Sequence, residues 1–253
     1  MCLIVLAYQP TQPLPFVLAA NRDEFYARPT QAMHEWPATG IIAGKDLEQG
    51  GTWLGVSRNG KFTAVTNFRD GKKPAPNLRS RGRLTRDFLL GTQDAASYIK
   101  RLEHEAHQYG GFNLLVGDHS GLYYLSNQDG ISKRLTPGLY GLSNAALDTP
   151  WPKLTLAKQK LAAALATNTH VALQQVLSST QQAADEELPN TGISQTWERQ
   201  LSSCFIQLPT YGTRAMTLIK QAASGHTEIE ERSFGAEGLL QTQHFNLALP
   251  PLG

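Results

Sequence analysis

The amino-acid sequence predicts an α+β protein in which two mostly antiparallel β-sheets lie face to face, with a pair of helices on each outer side. Short apolar segments joined by tight turns are typical of hairpins, which pair antiparallel strands. Helical periodicity interrupts these segments twice, each time over two successive helices. The 253 residues carry no repeat and no shift in composition, which favours a single domain over residues 1–253. Such a layered arrangement would bury every apolar face, and a single sheet with helices on one side is the alternative.

The first part of the chain contains four predicted strands. Cys2–Tyr8 is a continuous apolar run, as in a strand that is buried on both faces. Residues 16–20 follow after a proline-rich turn, and the next strand covers residues 52–57. Asn59-Gly60 predicts a two-residue hairpin turn, because both positions tolerate positive φ. Residues 61–67 therefore return as a strand.

Two helices follow, after a proline-containing turn at 74–76. In the first helix Leu84, Phe88 and Leu89 recur at helical spacing, and Thr92 is the predicted N-cap of the second. The remaining predictions are strands at 112–117, 122–126 and 138–143, helices at 153–166 and 170–179, and strands at 203–208, 213–221 and 228–234.

Composition argues against several classes of protein. The 23 Lys and Arg exceed the 21 Asp and Glu by only two and are scattered, which argues against a nucleic-acid partner. An apolar content of 41% excludes an intrinsically disordered chain. The longest apolar run, residues 1–8, is shorter than the roughly 20 residues of a membrane span and lacks the basic start of a signal peptide. Two cysteines are too few for a disulfide framework, so we expect a cytoplasmic protein.

Cys2 is the most informative residue of the sequence. A short side chain at position 2 permits removal of the initiator Met1, and Cys2 would then carry both a thiol and a free α-amine. Such an amine has a pKa of roughly 7.7 to 8.0 and accepts a proton at neutral pH, so the thiol stands beside its own base. The alternative is that Cys2 is simply a small buried residue of the core.

The polar segment Asn21-Arg22-Asp23-Glu24 follows the second predicted strand. A hairpin brings the end of that strand beside the start of the first, so we expect the segment next to Cys2. An acid there would hold the α-ammonium, and Arg22 would steer a carboxylate or stabilise a thiolate. A solvated turn is the alternative interpretation of such a segment.

Five motifs, distributed over nearly the whole chain, are together very specific. They are Met1-Cys2-Leu3-Ile4, Ala20-Asn21-Arg22-Asp23-Glu24, Gly50-Gly51-Thr52-Trp53-Leu54-Gly55, Thr66-Asn67-Phe68-Arg69 and Pro209-Thr210-Tyr211-Gly212-Thr213-Arg214. The set resembles the NRDE family, which is the family of the transport and Golgi organisation protein 2. That family is similar to N-terminal nucleophile hydrolases of the choloylglycine hydrolase and penicillin V acylase type. The resemblance implies a four-layer αββα sandwich, in agreement with the order of strands and helices.

The resemblance also implies catalytic roles for particular residues. Cys2 takes the place of the nucleophile, and Arg214 takes that of an arginine near the thiol. Asn144, which ends the segment Gly141-Leu142-Ser143-Asn144, corresponds to an asparagine that donates to the oxyanion, and Asn67 is a candidate second donor. Each donor aimed at a developing oxyanion contributes roughly 3 to 4 kcal/mol.

Within the polar segment, Arg22 and Asp23 are the predicted catalytic residues, and Asn21 and Glu24 are predicted substrate contacts. In the acylase relatives the acid stands three residues after the arginine, whereas Arg22 and Asp23 are adjacent in this sequence. This spacing leaves open whether Asp23 or Glu24 faces the α-amine.

Trp53 and Phe68 lie within the motifs and are candidates to line an apolar substrate pocket, and the alternative is that they belong to the ordinary core, as aromatic residues in strands more often do. We therefore expect a hydrolase that cleaves a small non-peptide amide with an apolar acyl group and requires no cofactor. The alternative that the resemblance to the family implies is a non-catalytic protein that binds and transports haem, a lipid or an acyl thioester, with Cys2 and His34 as the haem ligands nearest in sequence to the motifs. A third hypothesis is a protein-interaction role in secretory organisation.

Two other features favour structural roles. His104 and His107 are three residues apart on a predicted helix, but no third metal ligand stands at a matching spacing, so we expect no metal site. Cys204 lies in an apolar segment and is expected in the core.

Overall fold

The structure, a computed structural model, describes residues 2–72, 77–167 and 169–253. Its strands are β1 (Cys2–Tyr8), β2 (Phe16–Phe25), β3 (Thr30–Glu35), β4 (Ile41–Asp46), β5 (Leu54–Ser57), β6 (Phe62–Asn67), β7 (Phe112–Asp118), β8 (Gly121–Ser126), β9 (Ser132–Arg134), β10 (Gly138–Leu142), β11 (Tyr211–Gln221), β12 (His226–Gly235) and β13 (Gly238–Ala248). Its helices are α1 (Gly82–Leu90), α2 (Ala95–Glu105), α3 (Pro152–Thr167), α4 (His170–Gln174) and α5 (Gln195–Gln200), with 3-10 turns at Ala106–Gln108 and Asp185–Glu187. The predicted turn at 74–76 and the predicted loss of Met1 lie outside the described residues.

Two antiparallel sheets form the centre of the molecule. The first has six strands in the order β10-β1-β2-β11-β12-β13, and the second has seven in the order β3-β4-β5-β6-β7-β8-β9. Helix α3 contacts β1, β10 and α4 on the outer side of the first sheet, while α1 and α2 contact β5 to β8 on the outer side of the second. The fold is therefore the four-layer αββα sandwich that the sequence predicts, and the single-sheet alternative is wrong.

Successive side chains of β1 point alternately into two different hydrophobic cores. Leu3 and Val5 pack with Leu161 of α3 in the outer core. Ile4 and Leu6 belong to the larger core between the two sheets. Because successive strand residues point to opposite faces, a strand that lies between two packed layers must be apolar throughout.

Strand β2 is longer than the sequence predicts. It continues to Phe25, so the polar segment 21–24 lies inside a central strand and not in a turn after it. β1 pairs with Asn21 and Arg22 on one side, and β11 pairs with residues 21–24 on the other. This backbone pairing outweighs the low strand propensity of Asn and Asp. The alternation then separates two pairs of side chains: Asn21 and Asp23 face the α3 layer, and Arg22 and Glu24 face the second sheet.

Several other predictions need correction. The predicted strand 203–208 forms turns and bends, because Cys204 and Ile206 are buried beneath the helical layer without a sheet partner for most of the segment. The N-cap of α2 is Asp94 and not Thr92, since the Asp94 carboxylate accepts the Ser97 N–H. The helix predicted over 170–179 ends at Gln174.

Helix α5 and the strands β3, β4, β9 and β13 are not predicted by the sequence pattern. β13 is an edge strand whose side chains are mostly exposed, so it carries no clear apolar alternation. None of the helices formed by residues 2–72, 77–167 and 169–253 combines the length and hydropathy that a membrane span requires.

Candidate active site

A cavity of about 180 Å³ opens beside the first residue of β1. The register places Cys2 opposite Arg22, and residues paired across neighbouring strands share a face. Six of the predicted site residues line this cavity, namely Cys2, Arg22, Asp23, Glu24, Trp53 and Asn67. The sandwich therefore brings together residues from β1, β2, β6 and the segment before β5.

Arg22 is held against the second sheet. Its side chain is only 6% exposed, and the guanidinium carbon lies 4.5 Å from the centre of the Trp53 ring. Nη1 donates to Thr30 Oγ1 at 3.4 Å, and Nη2 lies 3.8 Å from Glu24 Oε2. Stacking on Trp53 fixes the plane of the guanidinium beside Cys2.

Asp23 is the buried acid of the site. Its side chain is 1% exposed, and Oδ1 accepts a hydrogen bond of 2.7 Å from Thr213 Oγ1 of β11. Burial raises the pKa of Asp23, while the Lys153 ammonium and the Thr213 hydroxyl oppose that rise. Glu24 is 24% exposed, and its carboxylate accepts the neighbouring Phe25 N–H. This difference in burial favours Asp23 over Glu24 as the acid that faces an α-amine.

The Cys2 thiol is held in its protonated form. Burial raises the pKa of Cys2, and the carboxylate of Asp23 raises it further, whereas Arg22 lowers it. A thiol in this environment is a weak nucleophile until a base removes its proton. A nucleophilic role of Cys2 would therefore require a base next to the sulfur.

The two candidate oxyanion donors lie together at the end of β6. Asn144 is fully buried, and its Nδ2 donates to the backbone carbonyl of Asn67 at 2.8 Å. Ser143 Oγ donates to the backbone carbonyl of Cys2 at 3.2 Å, which fixes the segment after β10 against the start of β1. Asn67 lines the cavity, whereas Asn144 lies behind it.

Three predicted site residues make contacts away from the cavity. Nδ2 of Asn21 donates to the carbonyls of Leu177 and Cys204 in the outer layer, at 3.1 and 2.8 Å. Nη1 of Arg214 donates to the carbonyls of the chain after β2, at Phe25, Tyr26 and Arg28. Phe68 donates its backbone N–H to Gly111 and is absent from the cavity wall. Asn21 and Arg214 thus brace the segments on either side of the site.

Lys153 and Arg81 belong to the site region although the sequence analysis did not select them. Lys153 is 3% exposed on α3, where its ammonium donates to the Leu201 carbonyl at 2.8 Å. Burial lowers the pKa of Lys153, and the negative charge of Asp23 opposes that effect. A lysine near the start of a helix is usually solvated, so its sequence gives no signal of this burial. Arg81 lines the cavity just before α1.

Of the two predicted haem ligands, Cys2 and His34, only Cys2 lines this cavity. Cys2 lines it, but His34 lies on β3 with its Nδ1 at 2.8 Å from the Ala32 carbonyl and is not part of the wall. Among residues 2–72, 77–167 and 169–253 no group of three or more His, Cys, Asp or Glu side chains is arranged to hold a metal ion.

Comparison with known proteins identifies the family of the chain. A family model described as Transport and Golgi organisation 2 matches residues 1–236. The Transport and Golgi organization protein 2 homologs of Bos taurus and Homo sapiens are each 36% identical over 92% of this chain and 93% of their own length. The Transport and Golgi organization protein 2 of Drosophila melanogaster is 26% identical over 87% of each chain.

A solved structure with low sequence identity shares the fold, and a second one aligns at a lower score. The Caenorhabditis elegans ortholog of N-acylethanolamine-hydrolyzing acid amidase aligns with a TM-score of 0.50 and 12% identity, over 70% of this chain and 86% of that chain. The C2A mutant of the conjugated bile acid hydrolase from Clostridium perfringens aligns with a TM-score of 0.47 and 7% identity, over 97% of this chain and 92% of that chain. The family model and the relatives at 36% identity together establish that the chain belongs to the Transport and Golgi organisation 2 family.

Proposed function

We propose that the chain is an N-terminal nucleophile hydrolase that uses Cys2 to cleave a small non-peptide amide. The observation that carries the proposal is the cavity beside β1, whose wall combines the Cys2 thiol with Arg22, Asp23 and Asn67. The fold shared with an acid amidase is consistent with this chemistry but does not establish it.

Removal of Met1 would supply the base that the thiol needs. The α-amine of Cys2 would then begin beside β2, across from Arg22 and next to Asp23 in the ladder. A carboxylate nearby favours the ammonium form, so Asp23 would oppose the lowering of the amine pKa by burial and keep the amine able to accept and return a proton.

Acylation of Cys2 would proceed with the proton shuttled by this amine. The amine takes the thiol proton while the sulfur forms a bond to the amide carbon, and the carbonyl oxygen becomes an oxyanion. Asn67 and Asn144 would donate to that oxygen after the Asn144 amide turns from the Asn67 carbonyl that it contacts now. The C–N bond then breaks, and the ammonium gives its proton to the leaving nitrogen, which leaves a thioester on Cys2.

Water completes the cycle. The same amine takes a proton from water as the hydroxide oxygen bonds to the thioester carbon. Collapse of the second tetrahedral intermediate breaks the C–S bond, and the ammonium returns its proton to the leaving sulfur. The products are a carboxylic acid and the free thiol, so each turnover returns the site to its starting state.

The mature first residue is the decisive measurement. Intact-mass analysis of the natively expressed protein should show loss of Met1, and an amide-mimicking electrophile such as a β-lactone should label Cys2 once per chain. Cys204 is the matched control, because burial raises its pKa to about 11 and its sulfur lies under α3. Labelling should persist in Cys204→Ala and vanish in Cys2→Ala. Retention of Met1 in protein that turns over an amide would overturn the proposal.

A further inference from the structure

The wall of the cavity carries an arginine that the proposed hydrolysis does not use and that no carboxylate of the described residues neutralises. Arg81 lines the cavity directly before α1. Its Nε is buried without a hydrogen-bond partner, and within residues 2–72, 77–167 and 169–253 the guanidinium forms no ion pair. Burial lowers the pKa of Arg81 with no carboxylate to oppose it. An unpaired guanidinium inside a cavity is unfavourable unless a ligand supplies the missing charge.

The other two arginines of the wall are already neutralised. Arg28 Nη2 lies 2.8 Å from Asp46 Oδ2, and Arg28 Nη1 lies 3.2 Å from Glu48 Oε2. Arg22 Nη2 lies 3.8 Å from Glu24 Oε2. By contrast, the first turn of α1 contains no acidic side chain that would approach Arg81. The positive charge of the cavity is therefore concentrated at the α1 side of the wall.

Packing holds Arg81 in this place. A Cβ built on Gly110 would lie 3.0 Å from its Nη2, so the guanidinium rests against the Gly110 backbone. Gly51 and Gly82 also line the cavity, and their backbones are so close that a Cβ on Gly51 would lie 2.5 Å from the carbonyl of Gly82. The start of α1 is thus fixed relative to the segment that carries Trp53.

We propose that Arg81 binds a carboxylate of the substrate, at the end of the acyl group that is remote from the scissile bond. This inference rests on the proposed function and defines its substrate class as a monoamide of a short dicarboxylic acid. A guanidinium matches a carboxylate with two parallel N–H donors, whereas a purely apolar acyl group would leave Arg81 unpaired. Cys2 and Arg81 line the same cavity, whose volume of about 180 Å³ limits the acyl group to a short chain.

Matched fluorogenic amides test the proposal. The glutaryl and pentanoyl amides of 7-amino-4-methylcoumarin have acyl chains of equal carbon number and differ in the terminal carboxylate. We expect kcat/KM for the glutaryl amide to exceed that for the pentanoyl amide by at least about tenfold. In Arg81→Gln this ratio should fall to about one, and Arg81→Lys should retain part of it. A ratio that Arg81→Gln leaves unchanged would overturn the proposal.

Arg83→Gln is the control for charge, because Arg83 is exposed on the same helix and is not part of the cavity wall. It should keep the full preference for the glutaryl amide. If Arg83→Gln lost as much of the preference as Arg81→Gln, the preference would come from the general positive charge near α1. That result would contradict a specific carboxylate site at Arg81.

Binding separates this proposal from the hydrolase mechanism. Glutarate should bind Cys2→Ala protein saturably in a calorimetric titration, and the additional change Arg81→Gln should weaken this binding at least tenfold. Glutarate binding that depends on Arg81, without cleavage of either amide, would refute the hydrolase and retain the carboxylate site. Cleavage of both amides at equal rates, without glutarate binding, would refute the carboxylate site and retain the hydrolase.

Discussion

Asp23 and Lys153 are buried charges of opposite sign behind Cys2, and each sustains the ionisation of the other. Burial raises the pKa of Asp23 and lowers that of Lys153, and the charge of each partner opposes both changes. Lys153→Met should therefore destabilise the protein by about 1 to 3 kcal/mol, because it removes the positive charge that opposes the effect of burial on the Asp23 carboxylate. Urea unfolding near neutral pH measures this loss.

A double-mutant cycle identifies the cause of that loss. Asp23→Asn combined with Lys153→Met should be less destabilising than the sum of the single changes, since neither charge then remains alone. Lys158→Met is the matched control on the same helix, because Lys158 is 28% exposed and its ion pair with Asp148 is worth at most about 1 kcal/mol. Strict additivity of the two buried changes would contradict the coupling.

The choice between Asp23 and Glu24 has a kinetic test. If Asp23 faces the α-amine, Asp23→Asn should lower kcat/KM for an amide about 10²- to 10⁴-fold. It should also move the acid limb of the pH profile to lower pH, because loss of the carboxylate lowers the pKa of the amine. Glu24→Gln is the isosteric comparison and should leave the acid limb in place. A shift of that limb in Glu24→Gln alone would reverse the assignment.

At the scale of elements, the sequence predicts the strands and strand pairs that depend on residues close together in the chain. β1 could be predicted because its apolar run is unbroken, and the pairing of β1 with β2 follows from two successive strands. The proximity of Cys2 to Arg22 follows from that hairpin. The continuation of β2 through Asn21 to Glu24 could not be predicted, since it depends on β11, which is nearly 190 residues away. The same limitation hides Lys153 and Arg81, because their burial is created by contacts between layers and not by their neighbours in sequence.

The link between β12 and β3 predicts a pH dependence of stability. Glu231 of β12 is fully buried, and its carboxyl accepts the Met33 N–H of β3 at 2.6 Å. Burial raises the pKa of Glu231 from 4.5 to about 7. The folded state therefore binds the proton more tightly than the unfolded state, and this contribution to stability is complete below pH 4.5 and is lost as the pH rises through 7.

Glu231→Gln measures that contribution, because glutamine keeps the shape and does not titrate. The free energy of unfolding of the wild type minus that of Glu231→Gln should decline by on the order of 3 kcal/mol between about pH 4.5 and pH 8. Urea unfolding at several pH values gives this difference. A difference that is constant with pH would show that Glu231 titrates normally in the folded state.

At the scale of the whole molecule, the sandwich separates a reactive end from a closed end. Cys2 begins β1 at the cavity, and Tyr8 ends the same strand at the opposite end, where its hydroxyl donates to the Gly253 carbonyl. The C-terminal segment joins the sheets there: the Leu252 N–H donates to Gln221 of the first sheet, and the Gly253 N–H donates to Asp118 of the second. The contacts of the C-terminal segment and the thiol of Cys2 therefore lie at opposite ends of one core.

This separation predicts that the closed end can be weakened without a change at Cys2. Leu252 is 5% exposed within the core between the sheets, so Leu252→Ala should lower the free energy of unfolding by about 2 to 5 kcal/mol. Leu239→Ala is the control, because Leu239 is 59% exposed and should change stability by less than about 0.5 kcal/mol. The rate at which an electrophile labels Cys2, measured well below the unfolding midpoint, should be the same in both variants and the wild type. A labelling rate that changes in Leu252→Ala would mean that the two ends share one cooperative packing unit, because a local cavity at the closed end cannot otherwise reach the thiol.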